Sequence, residues 1–322
     1  MIWRKKAFEM FDITLGILAL IAGIILMTFS SEKAVEHSVI SASALGVSPL
    51  MIGLLLVSMG TDLPEIVNSI VSCALGHGNI NAGDSIGSVL AQLTLVLGLL
   101  PFFSRSFNVK RREIIVIGAC EILALMLAMS ILEKGYVTRS NALFLVGSWP
   151  LYMMITKDVI EEVGKKDADP IQIRRSKTYH LIVATLGFIG VAIGAYCVVQ
   201  STIILSAAFK IPEYLISFFL VAIGTSLPEL AVDLTAIRKR EYEVAIGDII
   251  GSCILDASFS IGIGQFFFPQ MISGGLASFT ALYTIFASLV VISLLAVRER
   301  VDKKAGIIFI ALYLLSYSML AT

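Results

Sequence analysis

The feature that most constrains this chain is an internal repeat that needs no gap. The segment LLLVSMGTDLPEI at residues 54–66 recurs as FFLVAIGTSLPEL at 218–230. Further along, GDSIGSVLAQLTLVLG at 83–98 recurs as GDIIGSCILDASFSIG at 247–262, with the same offset of 164 residues. Self-similarity of this kind indicates a duplicated structural unit. The chain is therefore expected to fold as two related halves.

Long apolar runs indicate that both halves lie in a membrane. Of the 322 residues, 57% are hydrophobic and 15% are charged, whereas roughly one-quarter of the residues of a soluble protein are charged. A membrane-spanning helix needs about 20 predominantly apolar residues. We therefore predict an all-α membrane protein with ten transmembrane helices. The predicted spans are approximately 11–30, 46–75, 81–103, 114–132, 141–156, 180–200, 211–237, 244–268, 274–297 and 305–321.

Equivalent helices of the two copies are five predicted spans apart. Because five is an odd number, the second copy crosses the membrane in the opposite orientation to the first. Inverted five-helix repeats are typical of secondary transporters, whose substrate site lies near the midplane. The first half is expected at 1–156, with its repeat at about 46–103. The second is expected at 179–322, with its repeat at about 211–268. The polar segment 157–178 is predicted to be a cytoplasmic linker.

The positions of the basic residues predict the orientation. All 24 Lys and Arg residues fall outside the predicted spans, and 18 of them lie on the side opposite the termini. The more basic side of a membrane protein is normally cytoplasmic. Both termini are therefore predicted to be outside, in a multi-pass protein of the plasma membrane. The formal net charge of zero excludes a strongly basic nucleic-acid-binding protein, and no obligate protein partner is evident.

A third of the acidic residues fall inside the predicted spans with at least three span residues on either side of them. A charged residue at the bilayer centre costs at least about 2.5–3.5 kcal/mol, and no Lys or Arg lies at a similar depth to pair with these acids. Neighbouring carboxylates then need protons or a bound cation. This pattern indicates cation or proton transport. The eight residues are Asp62, Glu65, Asp84, Glu121, Glu229, Asp233, Asp248 and Asp256.

Each repeat also carries a proline that interrupts its helix. Pro64 and Pro228 cannot donate a backbone hydrogen bond, and a broken helix at membrane depth is tolerated where it lines a cavity or is buried in protein. The four-residue spacing of Thr61 and Glu65, and of Thr225 and Glu229, predicts that each pair shares one helical face. In the partner helices, polar residues also recur at four-residue steps. They are Asp84, Ser88 and Gln92, and Asp248, Ser252 and Asp256.

These motifs resemble those of the calcium/cation antiporter superfamily, and most closely the prokaryotic sodium/calcium exchangers. That family has two copies of GTS-x-PE, each followed by a helix of the form G-[ND]-x-x-G-S-N-x-x-[ND]. The resemblance implies exchange of Na⁺ for Ca²⁺ by alternating access, normally with Ca²⁺ extrusion, and no other cofactor. The first and sixth spans would slide across a rigid core.

The resemblance also implies ligand positions. The central calcium site falls on Glu65, Glu229, Gln92 and Asp256. The flanking sodium sites fall on Thr61, Ser88, Thr225 and Ser252, with the backbone carbonyls of Ser58 and Ala222. Asp62, Asp84 and Asp248 are further candidate oxygen donors.

The chain departs from the family pattern within this site. Asp62 stands where the family usually has Ser, and Ser226 keeps the usual residue. Gln92 replaces the usual Asn, while Val89 and Cys253 replace the Asn that follows the GS pair. The extra carboxylate of Asp62 leaves proton or potassium coupling open as an alternative to sodium, and the divalent cation also stays open.

Function classes other than transport are disfavoured. The four Cys and three His residues show no spacing typical of a metal enzyme or nucleophile. An intramembrane aspartyl protease would use Asp84 and Asp248, but the first glycine of its GxGD motif is missing from both sites. A cation channel is a remote alternative, because channels can also contain inverted repeats. No enzymatic activity is expected.

Overall fold

The computed structural model describes residues 2–44, 59–104, 106–161, 177–238, 240 and 242–320, and these residues are mainly helical. A two-stranded ribbon is formed by β1 (Phe107–Asn108) and β2 (Arg300–Val301). The α-helices are α1 Ile2–Ala44, α2 Leu63–Ala74, α3 Gly78–Leu90, α4 Leu97–Phe103, α5 Arg111–Leu132, α6 Arg139–Glu161, α7 Lys177–Phe209, α8 Glu213–Ile216, α9 Ala222–Thr225, α10 Leu227–Arg238, α11 Tyr242–Leu255, α12 Ile261–Phe267, α13 Gly274–Arg298 and α14 Lys303–Leu320.

Seven helical stretches of the described chain are long and apolar enough to cross a membrane. The helix α2 is a shorter apolar helix, and most of its predicted span lies outside the described residues. The predicted spans 141–156 and 305–321 fall in α6 and α14, which are not among the seven. A helical membrane protein is therefore confirmed, while ten spans and the inverted relation stay predictions. The seven stretches are Ile13–Ser38, Gly78–Phe103, Arg111–Leu132, Thr178–Phe209, Glu213–Arg238, Val244–Phe267 and Gly274–Arg298.

The connections between helices meet in pairs. The β1–β2 ribbon joins the connection after α4 to the connection after α13, with Phe107 opposite Val301. A single bridge between Tyr136 and Met271 joins the connection after α5 to the one after α12. The alternating plan of spans requires each of these pairs to lie on one side of the membrane. Of the predicted linker 157–178, the ends are helical in α6 and α7, and 162–176 lie outside the described residues.

The two longest helices, α1 and α7, pack against each other along their lengths through a seam of glycines. A Cβ built on Gly194 would lie 2.8 Å from the carbonyl oxygen of Gly23, and one on Gly187 would lie 2.7 Å from the backbone nitrogen of Ala34. Glycines permit this approach because they have no side chain. Small residues at such contacts are typical of helix pairs in membranes.

We expect Gly187→Ala to destabilise the protein, because its new methyl group would meet the backbone of α1. Overpacking of this kind typically costs about 1–3 kcal/mol. Gly147→Ala in α6 is the matched control, since a Cβ at Gly147 has no neighbour within 4 Å. The apparent unfolding temperature in detergent checks the prediction. Equal temperatures for the two variants would show that the seam tolerates a methyl group.

The helices that carry the repeat share a local distortion. A π-helical segment at Ala91–Val96 connects α3 to α4, and another at Asp256–Ser260 connects α11 to α12. The two segments occupy equivalent positions of the repeat. A π-helical turn widens the helix and is often found at functional sites. Gln92 and Asp256 lie in these two segments, and both side chains are buried.

Candidate cation-binding site

A helix begins at the leucine of both GT-x-L-P-E motifs, and in the second copy this start interrupts a helical stretch, as predicted. In the second copy, α9 ends at Thr225 and α10 begins at Leu227. In the first copy, Asp62 is the N-cap of α2 and Pro64 lies in its first turn. Proline is well tolerated there, because its missing N–H would have no partner within the helix. The prolines therefore begin new helices rather than bend continuous ones.

The break divides each threonine–glutamate pair between two elements. Thr61 precedes α2, whereas Glu65 lies within it. Thr225 ends α9, whereas Glu229 lies in α10. Helical i to i−4 hydrogen bonds continue from Ala222 to Ser226 and from Ser226 to Leu230. The shared face of each pair stays a prediction.

Two buried glutamates form the centre of the site. The side chains of Glu65 and Glu229 are 1% and 0% exposed. Their carboxylates lie within electrostatic range of each other, and Asp256 lies within range of both. Among the described residues, none donates a hydrogen bond of normal geometry to either carboxylate, although the Thr225 hydroxyl lies near Glu65. Buried ionised groups without partners are costly, so these oxygens are suited to a bound cation.

Gln92 joins the two halves at this centre. Its Nε2 donates to Oδ2 of Asp256 at 3.2 Å and to Oγ of Ser226 at 3.4 Å. Its Oε1 accepts from the Cys253 thiol at 3.5 Å. The amide is therefore fixed by groups of the second repeat, and one oxygen of Asp256, Oδ1, has no described partner.

One flanking cluster contains Asp84, Ser88 and Thr225. The Thr225 hydroxyl donates to Oδ1 of Asp84 at 3.1 Å, and the Ser88 hydroxyl lies 3.4 Å from the Thr225 hydroxyl. The Thr225 hydroxyl also lies 3.3 Å from the carbonyl oxygen of Ala222. The other oxygen of Asp84 accepts from the Asn68 amide. Hydroxyl, carboxylate and carbonyl oxygens of both repeats are thus close together.

A second flanking cluster contains Asp62, Asp233, Asp248 and Ser252. The Ser252 hydroxyl donates to Oδ2 of Asp62 at 3.1 Å, and Oδ1 of Asp62 has no described partner. Asp248 lies within electrostatic range of Asp62 and within hydrogen-bonding range of Asp233. The hydroxyl of Thr61 is buried without a described partner. The carbonyl of Ser58, predicted to be a sodium ligand, lies outside the described residues.

Several contacts of these clusters were missed by the sequence analysis. Asn68 follows Glu65 by three residues, so helical spacing could have placed it beside the site. Ser226 occupies the repeat position of Asp62, which was a usable signal. Cys253 was identified only as a departure from the family motif, and nothing in the sequence indicated its contact with Gln92. Glu121 lies in the middle of α5, where it accepts a hydrogen bond from Ser288 at 2.8 Å, and it is within electrostatic range of Cys253.

The site is built from mixed oxygen donors rather than a compact acidic cluster. Within the described residues, no three Asp, Glu, His or Cys side chains are arranged to hold a metal ion. A cation bound among these side chains would also need hydroxyl, amide and carbonyl oxygens. Hard cations such as Ca²⁺ accept such mixtures, with six to eight oxygens around a calcium ion.

Broken helices and unpaired carboxylates at membrane depth define the class of protein: a secondary carrier of cations. A family model described as sodium/calcium exchanger protein matches residues 15–157 and 179–321. The chain therefore belongs to this family, whose members are membrane antiporters of cations rather than enzymes, and it lies within the calcium/cation antiporter superfamily.

Three similar proteins show how far the likeness extends. The inner membrane protein YrbG of Escherichia coli is 30% identical over 80% of this chain and 79% of its own length. The sodium/calcium exchanger MaX1 of Methanosarcina acetivorans is 24% identical, over 94% of this chain and 97% of its own. A structure of the sodium-calcium exchanger NCX_Mj, soaked with Na⁺ and Sr²⁺, superposes with a TM-score of 0.60 at 28% identity, covering 95% and 98%.

Proposed function

We propose that this protein exchanges Na⁺ for Ca²⁺ across the membrane and normally extrudes Ca²⁺. The central ion would bind Glu65, Glu229, Gln92 and Asp256. Sodium ions would bind on either side of it. Their ligands would be Thr61, Ser88, Thr225 and Ser252, the carbonyls of Ser58 and Ala222, and the further donors Asp62, Asp84 and Asp248.

The observation that supports this proposal best is the state of Glu65 and Glu229. Both carboxylates are buried, they repel each other, and no described group neutralises them. Two negative charges at this position match one divalent cation. They also match two monovalent cations, so Ca²⁺ and Na⁺ would compete for the same carboxylates. Competition for shared ligands is what couples the movement of one ion to that of the other.

The packing of α1 supports an alternating-access mechanism. The side chain of Ile24 in α1 lies directly against Gly224, one residue before Thr225 of the site. A Cβ on Gly224 would collide with Ile24, so α1 covers the second helix break closely. Sliding α1 and α7 together across the core would move Ile24 away from this break. Ion access would then change without separation of α1 from α7.

The proposal is tested by Ca²⁺ uptake into proteoliposomes. Vesicles loaded with Na⁺ and diluted into Na⁺-free buffer are expected to accumulate Ca²⁺. Vesicles with matched K⁺ or proton gradients, and liposomes without protein, are the controls. Uptake that is the same with and without the Na⁺ gradient would contradict sodium coupling. Uptake that does not saturate and needs no counter-ion would indicate a channel instead.

A second candidate keeps the carrier but couples it to protons or K⁺. The observation that favours it is Asp62, which adds a buried carboxylate with one unpartnered oxygen beside Ser252. Such a group can hold a proton in one conformation and release it in another. The same vesicle assay separates the two candidates, because proton coupling gives uptake driven by a pH gradient alone.

We also propose a plasma-membrane location with both termini outside, from the excess of basic residues on the other side. Apolar helices and the likeness to an inner membrane protein support the membrane location. Labelling of single cysteines near either terminus by an impermeant reagent in intact cells tests the orientation. Labelling only after lysis would show that the termini are inside the cell and would contradict the proposed orientation.

A further inference from the structure

An open surface pocket lies where several helices end. Its volume is about 460 Å³, and it lies between the end of α4, the β1–β2 ribbon and the start of α14. The apolar stretches Gly78–Phe103 and Gly274–Arg298 both end beside it. The pocket is therefore at the boundary between lipid and water. Its lining residues are Pro101, Ser104, Ser106, Arg300, Asp302, Lys303 and Lys304.

The pocket presents uncompensated positive charge. Lys303 and Lys304 are exposed and form no ion pair within the described residues. The guanidinium of Arg300 donates to Oγ of Ser106 at 2.5 Å, so it is held by a neutral group and keeps its charge. Three cations thus surround the space, with the Ser106 hydroxyl beside Arg300. This combination is typical of sites for phosphate groups.

Asp302 is the one carboxylate among the residues that line the pocket, and both of its oxygens already accept hydrogen bonds. Its Oδ1 accepts a hydrogen bond from the backbone N–H of Ala305 at 2.9 Å, and its Oδ2 accepts one from Arg298 at 2.6 Å. The hydrogen bond from Ala305 and the nearby Arg298 lower the pKa of Asp302. Asp302 therefore stays ionised and paired, and it does not neutralise the two lysines.

Exposed aromatic side chains flank the pocket on its lipid side. Phe102 and Phe103 are 42% and 57% exposed at the end of α4, immediately before Ser104. Exposed apolar side chains at this boundary can contact acyl chains, and basic residues near the membrane surface attract anionic headgroups. A free phosphate would use the cations but would gain nothing from the two phenylalanines.

We propose that this pocket binds the phosphate of an acidic phospholipid, with Arg300, Lys303 and Lys304 around the headgroup and Phe102 and Phe103 against the acyl chains. This inference depends on the position of the pocket at the membrane boundary and on its charges. It does not depend on which ions the protein exchanges.

The test measures lipid binding to the purified full-length protein by native mass spectrometry. Phosphatidylglycerol is expected to remain bound, whereas phosphatidylcholine, whose headgroup is neutral overall, is expected to dissociate. In the double variant Lys303→Gln/Lys304→Gln, binding of phosphatidylglycerol should weaken about tenfold or more, because each basic residue near the surface contributes to anionic lipid binding. Lys134→Gln/Lys210→Gln, which removes two exposed lysines elsewhere, is the matched control.

A competition experiment with a soluble phosphate distinguishes a lipid-binding site from a site for free phosphate. Glycerol 3-phosphate at millimolar concentration should not displace phosphatidylglycerol from the protein. Displacement would assign the pocket to a soluble phosphate and overturn the lipid proposal. Equal binding of phosphatidylglycerol by the double variant and the control variant would also overturn it. Equal retention of phosphatidylglycerol and phosphatidylcholine by the native protein would do the same.

Discussion

Replacing Glu229 with glutamine is expected to reduce Na⁺-driven Ca²⁺ uptake to the level of empty liposomes. The substitution preserves the size of the side chain and removes the charge that would neutralise the ion. Glu229 lies within electrostatic range of Glu65, and no described group meets its carboxylate oxygens with normal hydrogen-bond geometry. An amide at this position carries no charge to replace the one that is lost. Glu65→Gln should have the same effect. The measurement is the initial rate of ⁴⁵Ca²⁺ uptake, with Glu133→Gln, a change at an exposed residue, as the control.

A stability measurement distinguishes loss of an ion ligand from damage to the fold. Removing an unpartnered buried charge should leave the ion-free protein as stable as the native one, or more stable. The unfolding temperature without Ca²⁺ should therefore not fall in Glu229→Gln, while the stabilisation caused by added Ca²⁺ should disappear. Normal uptake by this variant would remove Glu229 from the transport site. A lower unfolding temperature in the ion-free state would indicate a structural role.

Replacing Asp62 with serine is expected to retain Ca²⁺ transport and to alter its coupling. The substitution gives the first repeat the same residue as Ser226 in the second. If the Asp62 carboxylate is a sodium ligand, its loss should raise the half-saturating Na⁺ concentration on the order of tenfold, equivalent to about 1.4 kcal/mol of binding free energy. The measurement is the Na⁺ dependence of Ca²⁺ uptake at several pH values.

The control for Asp62 is Glu133→Gln, which removes an exposed carboxylate outside the site, so its Na⁺ dependence should be unchanged. Ser252→Ala is a companion variant: it removes a neutral proposed ligand, the hydroxyl that donates to Oδ2 of Asp62 at 3.1 Å, and leaves the carboxylate in place, so its effect on Na⁺ dependence should be smaller than that of Asp62→Ser. An unchanged Na⁺ dependence in Asp62→Ser, together with the loss of a pH dependence present in the native protein, would contradict the sodium assignment. That result would favour proton coupling.

Much of the helical architecture follows from the sequence, because apolar runs and a repeated break are local signals. Pro64 and Pro228 predict interruptions, and the structure begins new helices around both. The apolar run predicted at 11–30 does not set the length of α1, because the more polar residues that follow it extend the helix to Ala44. The number of spans is not fixed either, since part of the second predicted span lies outside the described residues.

The composition of the candidate site was easier to predict than its contacts. Acids without basic partners in apolar helices indicate cations whatever their arrangement. The bond from Gln92 to Asp256, in contrast, joins two π-helical segments for which the sequence has no local signature. Helical spacing alone also does not place Thr61 or Thr225 relative to its glutamate, because each pair is divided between two elements. Pairing across the repeats depends on tertiary packing, which a single sequence does not encode locally.

The glycine seam between α1 and α7 has a consequence for the efficiency of exchange. Backbones that approach as closely as those at Gly187 and Gly194 can slide together over the core more easily than they can separate. Under the proposed mechanism, the pair then has one degree of freedom, and the movement that exposes the ions to one side must hide them from the other. A state open at both ends would require the seam to split. The seam would thus prevent the ion leak that dissipates a gradient.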